Sequence, residues 1–240
     1  MAGTIAAQSD VRSPDELIAE LEALRAEWRK THPFRIREIK SPDEFPRLAE
    51  GKRRRHAGGD DNHRFEGERY LNCTDKASRR MQLRKLVDEG GQATVGGPQV
   101  SHPLLSRWES YGFGLTPEEI TALEKGDADP AQLVQRGWWL AMNRDSYFAV
   151  AIGSGLVVEG EHKLRSAELL AAIEEDRKRF REWGVAEVDK ALENRHEHAG
   201  IDVDHADFNE DVVRQFVTTP ELQDEMRRVF ILRLQMFSGA

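Results

Sequence analysis

The chain has 240 residues, enough for one large domain or two small ones. Its formal net charge of -8 at pH 7 argues against a protein whose main role is nucleic-acid binding. The single cysteine, Cys73, excludes an internal disulfide and fits a reducing compartment. The sequence contains neither a signal-peptide pattern nor a run approaching the ~20 apolar residues of a membrane span. We therefore expect a cytoplasmic protein with no nucleic-acid or membrane partner.

One basic run, Lys52 to Arg55, departs from this acidic character. It is followed by Gly58-Gly59-Asp60-Asp61, which predicts a helix end and then a mobile loop. We interpret the run as a solvated helix end, with nucleic-acid binding the less favoured alternative. On this interpretation, neutralising the run leaves activity nearly intact.

Helix signals recur along the chain, whereas strand signals are nearly absent. Capping boxes with proline at the first helical position predict helices that begin after Ser13, Ser41 and Thr116. Further helices are expected over residues 64–70, 75–89, 102 onwards, 130–158, 167–183, 185–216 and 220–237, with longer loops at 57–63 and 90–101. The pattern predicts an all-α protein with a flexible segment at 1–12 and a single helical domain over 13–238.

Two glycines, Gly153 and Gly155, lie inside the expected helix over 130–158. Each costs about 1 kcal/mol relative to alanine in a helix interior. Their proximity predicts either that another group approaches the backbone there or that the helix bends.

The most informative stretch contains His198, Asp202 and His205. Separations of four and three residues place these side chains on one helical face. The same face continues through Asn209, Val212 and Phe216, as a core-facing stripe does. Because buried charge must be paired or bind a metal, two imidazoles and a carboxylate on this stripe favour a transition metal such as iron. The alternative is a solvated polar helix.

Other candidate ligands are polar residues at positions where apolar ones are expected, because di-metal sites in helical bundles draw ligands from several helices. Glu159 follows the uncharged run 146–158, with Glu161 as the alternative. Glu89 ends a predicted helix, and His102 begins one. Glu66 and Glu68 flank Gly67 on a further helix, and either could point inwards.

Several motifs, in order, resemble the haem-oxygenase-like di-iron oxidases and oxygenases. They are Val87-Asp88-Glu89-Gly90-Gly91, His102-Pro103-Leu104-Leu105, Leu115-Thr116-Pro117-Glu118-Glu119, Gly155-Leu-Val-Val-Glu159 and His198-x-x-x-Asp202-x-x-His205. The resemblance covers about residues 64–237. It implies a single bundle of about seven core helices, a fold shared with pyrroloquinoline-quinone synthase and thiaminase II.

The resemblance also implies a ligand set for two Fe(II) ions per chain, with dioxygen as co-substrate. One iron would be held by Glu89 and His102 and the other by His198 and His205. Glu159, Asp202 and Glu68 would complete or bridge the pair. Glu66 is the alternative to Glu68, and Glu161 or Glu168 to Glu159, since the intervals from Glu89 to His102 and from Glu159 to His198 are long for the family. No catalytic residue beyond the metal ligands is implied.

The implied function is a non-haem di-iron oxygenase or oxidase in a biosynthetic pathway, with homodimers common in the family. Its substrate would be small, with an amino acid favoured over a fatty acid, and the reaction an N-oxygenation, desaturation or C–C cleavage. Aromatic side chains could contact this substrate, namely Trp139, Tyr147 and Phe148. The alternatives are a cofactorless oxidase of the quinone-synthase type, a hydrolase using Cys73, a haem oxygenase using His32, and a non-catalytic helical interaction module.

Overall fold

The computed structural model describes residues 11–59, 62–90 and 100–237. These ranges are helical and contain no strand, which confirms the predicted all-α class. Most of the predicted flexible segment and parts of both predicted loops lie outside the described residues. None of the helices in the described ranges is both long and apolar enough to cross a membrane.

More helices form than the seven or so core helices expected. They are α1 Pro14–Thr31, α2 Phe45–His56, α3 Asn62–Asn72, α4 Lys76–Glu89, α5 His102–Gly112, α6 Pro117–Lys125, α7 Pro130–Asp145, α8 Phe148–Gly153, α9 Glu159–Glu182, α10 Val188–Phe216 and α11 Pro220–Phe237. Short 3-10 turns occur at Pro42–Glu44 and Ser154–Val157. The excess arises partly because predicted continuous segments are interrupted.

Local capping explains where several helices begin. Ser13 and Glu16 form the complete capping box at the start of α1. The hydroxyl of Thr116 accepts a hydrogen bond from the Glu119 amide at 3.1 Å and begins α6. Ser41 instead caps the 3-10 turn, and α2 follows it directly. The three predicted start signals therefore lie at or just before real helix starts.

The predicted continuous helix over 130–158 is wrong. Ser146 adopts an extended backbone that ends α7, and the chain turns again through Ser154–Val157 before α9 begins at Glu159. The glycines explain the second interruption. A Cβ on Gly155 would lie 2.5 Å from Asn209 Nδ2 and 3.0 Å from Glu159 Oε2. The close approach expected from Gly155 is therefore present, at the beginning of α9.

The apolar core consists of two clusters, and α10 contributes to both. One cluster joins α1, α8, α10 and α11 and includes Phe148, Val213 and Phe230. The other includes Phe180 of α9 and Leu192 of α10. The polar stripe of α10 lies between these two apolar stretches of the helix. Packing at both ends therefore fixes the position of that stripe.

Candidate metal centre

A cavity of about 890 Å³ collects most of the predicted ligands. This volume lies within the range of small-molecule sites. Six of the seven predicted ligands line it: Glu89, His102, Glu159, His198, Asp202 and His205. Glu66, the alternative to Glu68, also lines it. We refer to these seven lining residues as the cavity cluster.

The stripe on α10 forms one wall of the cavity. Asp202 Oδ2 lies 3.4 Å from His198 Nδ1, and Asp202 Oδ1 lies 3.9 Å from His205 Nδ1. The predicted common face of the three side chains is confirmed by these separations. His205 and Asp202 are buried, whereas His198 is half-buried and stacks on the ring of His102, with centroids 4.8 Å apart.

Glu89 ends α4 and His102 begins α5, and the two side chains form an ion pair through His102 Nδ1. Burial alone would lower the pKa of His102, but the hydrogen bond and charge of Glu89 raise it above the ordinary value. Glu89 Oε1 also lies 3.9 Å from His205 Nδ1. The long interval between Glu89 and His102 therefore does not prevent the two residues from meeting.

Two imidazole nitrogens in this cluster lack the partners that burial normally requires. His102 Nε2 and His205 Nε2 are buried and have no hydrogen-bond partner among the described residues. An unsatisfied buried polar atom costs about 1–3 kcal/mol and therefore needs an explanation. The chemistry of the donor set supplies one, because imidazole nitrogens beside carboxylates suit first-row transition metals.

Glu159 lies in the first turn of α9 and has two partners that the sequence did not suggest. Lys85 Nζ donates to Glu159 Oε1 at 2.9 Å, and Asn209 Nδ2 contacts Oε2. Burial raises the pKa of Glu159, but the Lys85 ammonium outweighs this and holds the pKa below its ordinary value. Lys85 is itself buried and shares one face of α4 with Glu89, four residues later. This four-residue spacing from a predicted ligand could have identified Lys85 from the sequence.

The structure places Glu66, rather than the preferred Glu68, in the cavity. Glu66 accepts hydrogen bonds from Arg69 Nη1 and Gln82 Nε2, both at 2.6 Å. Glu68 is half-buried and does not line the cavity. Residues two positions apart on an α-helix point about 200° apart, so the two glutamates cannot both face inwards.

The alternatives to Glu159 lie elsewhere. Glu161 is buried among three guanidinium groups, with nitrogen–oxygen distances of 3.7 Å to Arg25, 3.2 Å to Arg29 and 2.9 Å to Arg165. Glu168 is exposed and pairs with Arg165. Neither carboxylate lines the cavity. We refer to Glu161 and its three arginines as the arginine cage.

His162 was missed as a partner of the cluster. Its Nδ1 contacts Asp202 Oδ2, and its ring is half-buried. Glu159 and His162 are three residues apart on α9, a spacing that recurs in di-metal carboxylate sites. The Glu159-x-x-His162 pattern could therefore have identified it.

Of the three aromatic residues predicted to contact substrate, one lines the cavity and two do not. Trp139 lines the cavity. Phe148 is buried in the first apolar cluster, 4.9 Å from the ring of Phe216, and Tyr147 packs against the same cluster. Neither Tyr147 nor Phe148 lines the cavity, because α8 turns this segment into the core. The structure therefore brings Trp139, and not Tyr147 or Phe148, into the cavity lining.

The basic run is not simply a solvated helix end. Lys52 forms an ion pair with the buried carboxylate of Glu109, and both residues line the cavity. Burial lowers the pKa of Lys52, and Glu109 opposes that effect. Arg55, one helical turn later, also lines the cavity, whereas Arg54 lies outside the lining, and both arginines are exposed.

A second group of possible ligands lies one turn before the α10 stripe. Glu193, His196 and Glu197 each offer a ligand atom, and the three atoms lie within 4.8 Å of one another. Among the described residues, the cavity cluster does not bring three such atoms this close together. Instead, Arg69 and Lys85 form ion pairs with two carboxylates of the cluster, Glu66 and Glu159.

Two residues that the alternative enzymes would need lie outside the cavity lining. Cys73 is buried, and its thiol donates to the Arg69 carbonyl oxygen at 3.3 Å. Burial raises the pKa of this thiol, which opposes a nucleophilic role. His32 stacks on Trp28 with ring centroids 4.1 Å apart.

Comparison with known proteins adds no assignment at this point. No protein-family model matches the chain, and no curated protein matches it.

Proposed function

We propose that the protein is a non-haem iron enzyme that uses dioxygen to oxidise a small substrate. The observation that carries the proposal is the pair of buried, unpartnered imidazole nitrogens, His102 Nε2 and His205 Nε2, within a cavity cluster that also holds four carboxylates. Burying this many ionisable groups is costly unless they are compensated, and bound metal compensates both the carboxylates and the free nitrogens.

The proposed ligand set has seven members from five helices: Glu66, Glu89, His102, Glu159, His198, Asp202 and His205. Carboxylates and imidazoles drawn from facing helices are typical of di-iron sites in bundles, so the set suits two Fe(II) ions. Glu66 replaces Glu68 because it lines the cavity. When bound, the irons would supply the electrons that reduce dioxygen.

The surrounding side chains would hold and tune these ligands. His162 contacts Asp202 Oδ2 and thereby fixes one oxygen of that carboxylate. Arg69 and Gln82 orient Glu66 by hydrogen bonds to different oxygens. Asn209 does the same for Glu159 at the turn where Gly155 leaves room for its amide.

Charge compensation within the cluster must change when metal binds. The Lys85 ammonium forms an ion pair with Glu159. A divalent ion held by Glu159 would supply the neutralising charge that Lys85 supplies here, and Glu66 is close enough to attract Lys85 electrostatically. His102 would bind the ion as the neutral imidazole, because a metal ligand must be deprotonated.

A metal-free hydrolase is the weaker candidate on the same fold. It requires a reactive thiolate at the cavity, whereas Cys73 is buried outside the lining and its thiol donates a hydrogen bond to a backbone carbonyl oxygen.

The proposal is tested by reconstituting the protein with Fe(II) without oxygen and measuring bound iron per chain. Near two irons per chain, with a visible absorbance band after oxygen exposure, is the expected result. Iron that stays at background in every condition would overturn the proposal.

A further inference from the structure

We infer that the substrate carries an oxyanion group, a carboxylate or a phosphate, that binds Arg37 and Arg55 in the lining of the cavity. This inference rests on the proposed function for its reaction, but its binding step can be measured separately. It assigns a role to a basic run that the metal centre leaves unused.

The two guanidinium groups belong to different parts of the chain. Arg55 lies near the end of α2, and Arg37 lies in the extended segment between α1 and the Pro42–Glu44 turn. Both line the cavity. Both residues are exposed, and neither side chain makes a hydrogen bond or ion pair within the described ranges, so both can bind a ligand.

The backbone around Arg37 is held in place by neighbouring helices. Arg195 Nη2 donates to the Arg37 carbonyl oxygen at 3.0 Å, and Arg179 Nη1 donates to that of Ile39 at 2.9 Å. The Ile39 amide also donates to Asp176 Oδ1 at 3.4 Å. The guanidinium of Arg37 thus extends from a fixed backbone rather than from a free loop.

Two further cations in the same lining are already paired. Lys52 binds Glu109, which also accepts a hydrogen bond from Asn194 Nδ2 at 2.8 Å. Arg195 binds Asp176. These two pairs use the carboxylates of Glu109 and Asp176, and Arg37 and Arg55 remain as surplus positive charge in the lining.

The surplus charge lies close enough to act on the other cavity groups. Arg55 and Arg37 both lie within electrostatic range of the buried carboxylate of Glu109, so the two guanidinium groups belong to the same part of the lining. Burial is the main cause of the lowered pKa of Arg37. Repulsion by the like charge of Arg195 acts in the same direction. A bound oxyanion would relieve this repulsion and fix one end of the substrate in the cavity.

Amide side chains in the lining indicate a polar substrate rather than a fatty acid. Gln132 and Gln135 of α7 line the cavity together with Trp139. Amide side chains at a binding wall favour hydrogen-bonding groups, and an alkyl chain would leave them unsatisfied. Guanidinium groups bind carboxylate and phosphate oxygens in a bidentate fashion, which would fix one end of such a substrate.

The test uses anaerobic, iron-reconstituted protein and isothermal titration calorimetry at low ionic strength. The probes are succinate, inorganic phosphate and the neutral analogue succinamide. Wild-type protein should bind succinate or phosphate, and succinamide at least roughly tenfold more weakly. The double variant R37Q/R55Q should lose roughly tenfold or more in affinity for the anions while its iron content stays at the wild-type level.

The matched control is R54Q, which removes an exposed arginine next to Arg55 that lies outside the cavity lining. It should bind the anions as the wild type does. Equal binding of succinate and succinamide, or unchanged anion affinity in R37Q/R55Q, would overturn the inference. Because iron is measured on the same samples, iron at background with anion binding intact would overturn only the proposed function. The ratio of phosphate to succinate affinity identifies which oxyanion the site prefers.

Discussion

Two carboxylates in the first turn of α9, Glu159 and Glu161, show how different two charged sites can be in one protein. Glu161 is buried and meets three guanidinium groups in the arginine cage. Glu159 lies in the cavity cluster, where its neighbours are one ammonium, an amide and the imidazole of His205. They are two residues apart and therefore face different sides of the helix.

The comparison separates a structural carboxylate from one that can bind a metal. The partners of Glu161 are all guanidinium groups, which donate hydrogen bonds to its oxygens. A guanidinium has no lone pair with which to bind a metal. The cavity cluster combines carboxylate oxygens with two unpartnered imidazole nitrogens, so it contains the atoms that a metal uses. Burial of a carboxylate alone does not distinguish the two cases, whereas the identity of its neighbours does.

The largest expected effect is the loss of iron on replacing His205 by alanine. His205 Nε2 is one of the two unpartnered nitrogens, so its removal should abolish stable iron binding and turnover. Iron per chain after anaerobic reconstitution and desalting is the measurement, with circular dichroism to verify folding. His196→Ala is the matched control on the same helix and should retain iron. If His196→Ala loses iron and His205→Ala does not, the metal belongs to Glu193, His196 and Glu197.

Substitution of the two glutamates by glutamine should have opposite consequences. Glu161→Gln leaves three buried or half-buried arginines without their carboxylate and should lower the free energy of unfolding by about 3 kcal/mol, with iron content unchanged. Glu159→Gln should lower iron content, because it removes a proposed ligand. Urea denaturation and iron analysis of both variants test this. Iron loss in Glu161→Gln alone would place the ligand in the arginine cage.

Two glycines allow the same comparison without removing a charge. A Cβ on Gly155 would lie 2.5 Å from Asn209 Nδ2, whereas one on Gly160 would lie 2.1 Å from Arg25 Nη1. Either alanine overpacks its site and should cost about 1–3 kcal/mol in unfolding free energy. Only Gly155→Ala should also weaken iron binding, since it displaces the amide that contacts Glu159.

Gly67→Ala is the control for these variants, because a Cβ there meets no atom within 4 Å. Its melting temperature should not fall, since alanine is the better helix former. Equal iron loss in Gly155→Ala and Gly160→Ala would contradict the proposed separation of the cavity cluster from the arginine cage.

The sequence predicted best what depends on helical periodicity. His198, Asp202 and His205 share a face because their spacing imposes it once α10 forms, and the apolar residues that follow indicated which way that face points. Capping signals located helix starts for the same reason, since they act through bonds between near neighbours.

The sequence failed where the outcome depends on packing between helices. The choice between Glu66 and Glu68 requires the rotation of α3, which is set by its contacts with α4 and α7 rather than by its own pattern. The basic run was interpreted as solvated because Lys52 pairs with a carboxylate 57 residues away in the sequence, that of Glu109. Lys85 and His162 were missed since their partners, Glu159 and Asp202, lie on other helices.

The smallest expected effect concerns the pH dependence of the metal-free protein. Burial raises the pKa of Asp202, but hydrogen bonds from His162 and His198 outweigh it and hold the pKa well below its ordinary value of 3.8. A carboxyl with a lowered folded-state pKa contributes stability that is present above the unfolded value and is lost as pH falls. The free energy of unfolding should therefore decline below about pH 4.

Asp202→Asn removes one such group from the cavity cluster. Below about pH 4, it should flatten the decline in unfolding free energy by at most about 1.4 kcal/mol per pH unit, the value for one proton. Urea denaturation of both proteins between pH 3 and 6 measures the difference. This interval includes the ordinary carboxyl pKa of 3.8. If the two slopes coincide, Asp202 does not gain its stabilising charge interactions on folding. The loss of stability in acid would then come from other ionisable groups, and the charge of Asp202 would contribute no more to the free energy of unfolding than that of a surface carboxylate.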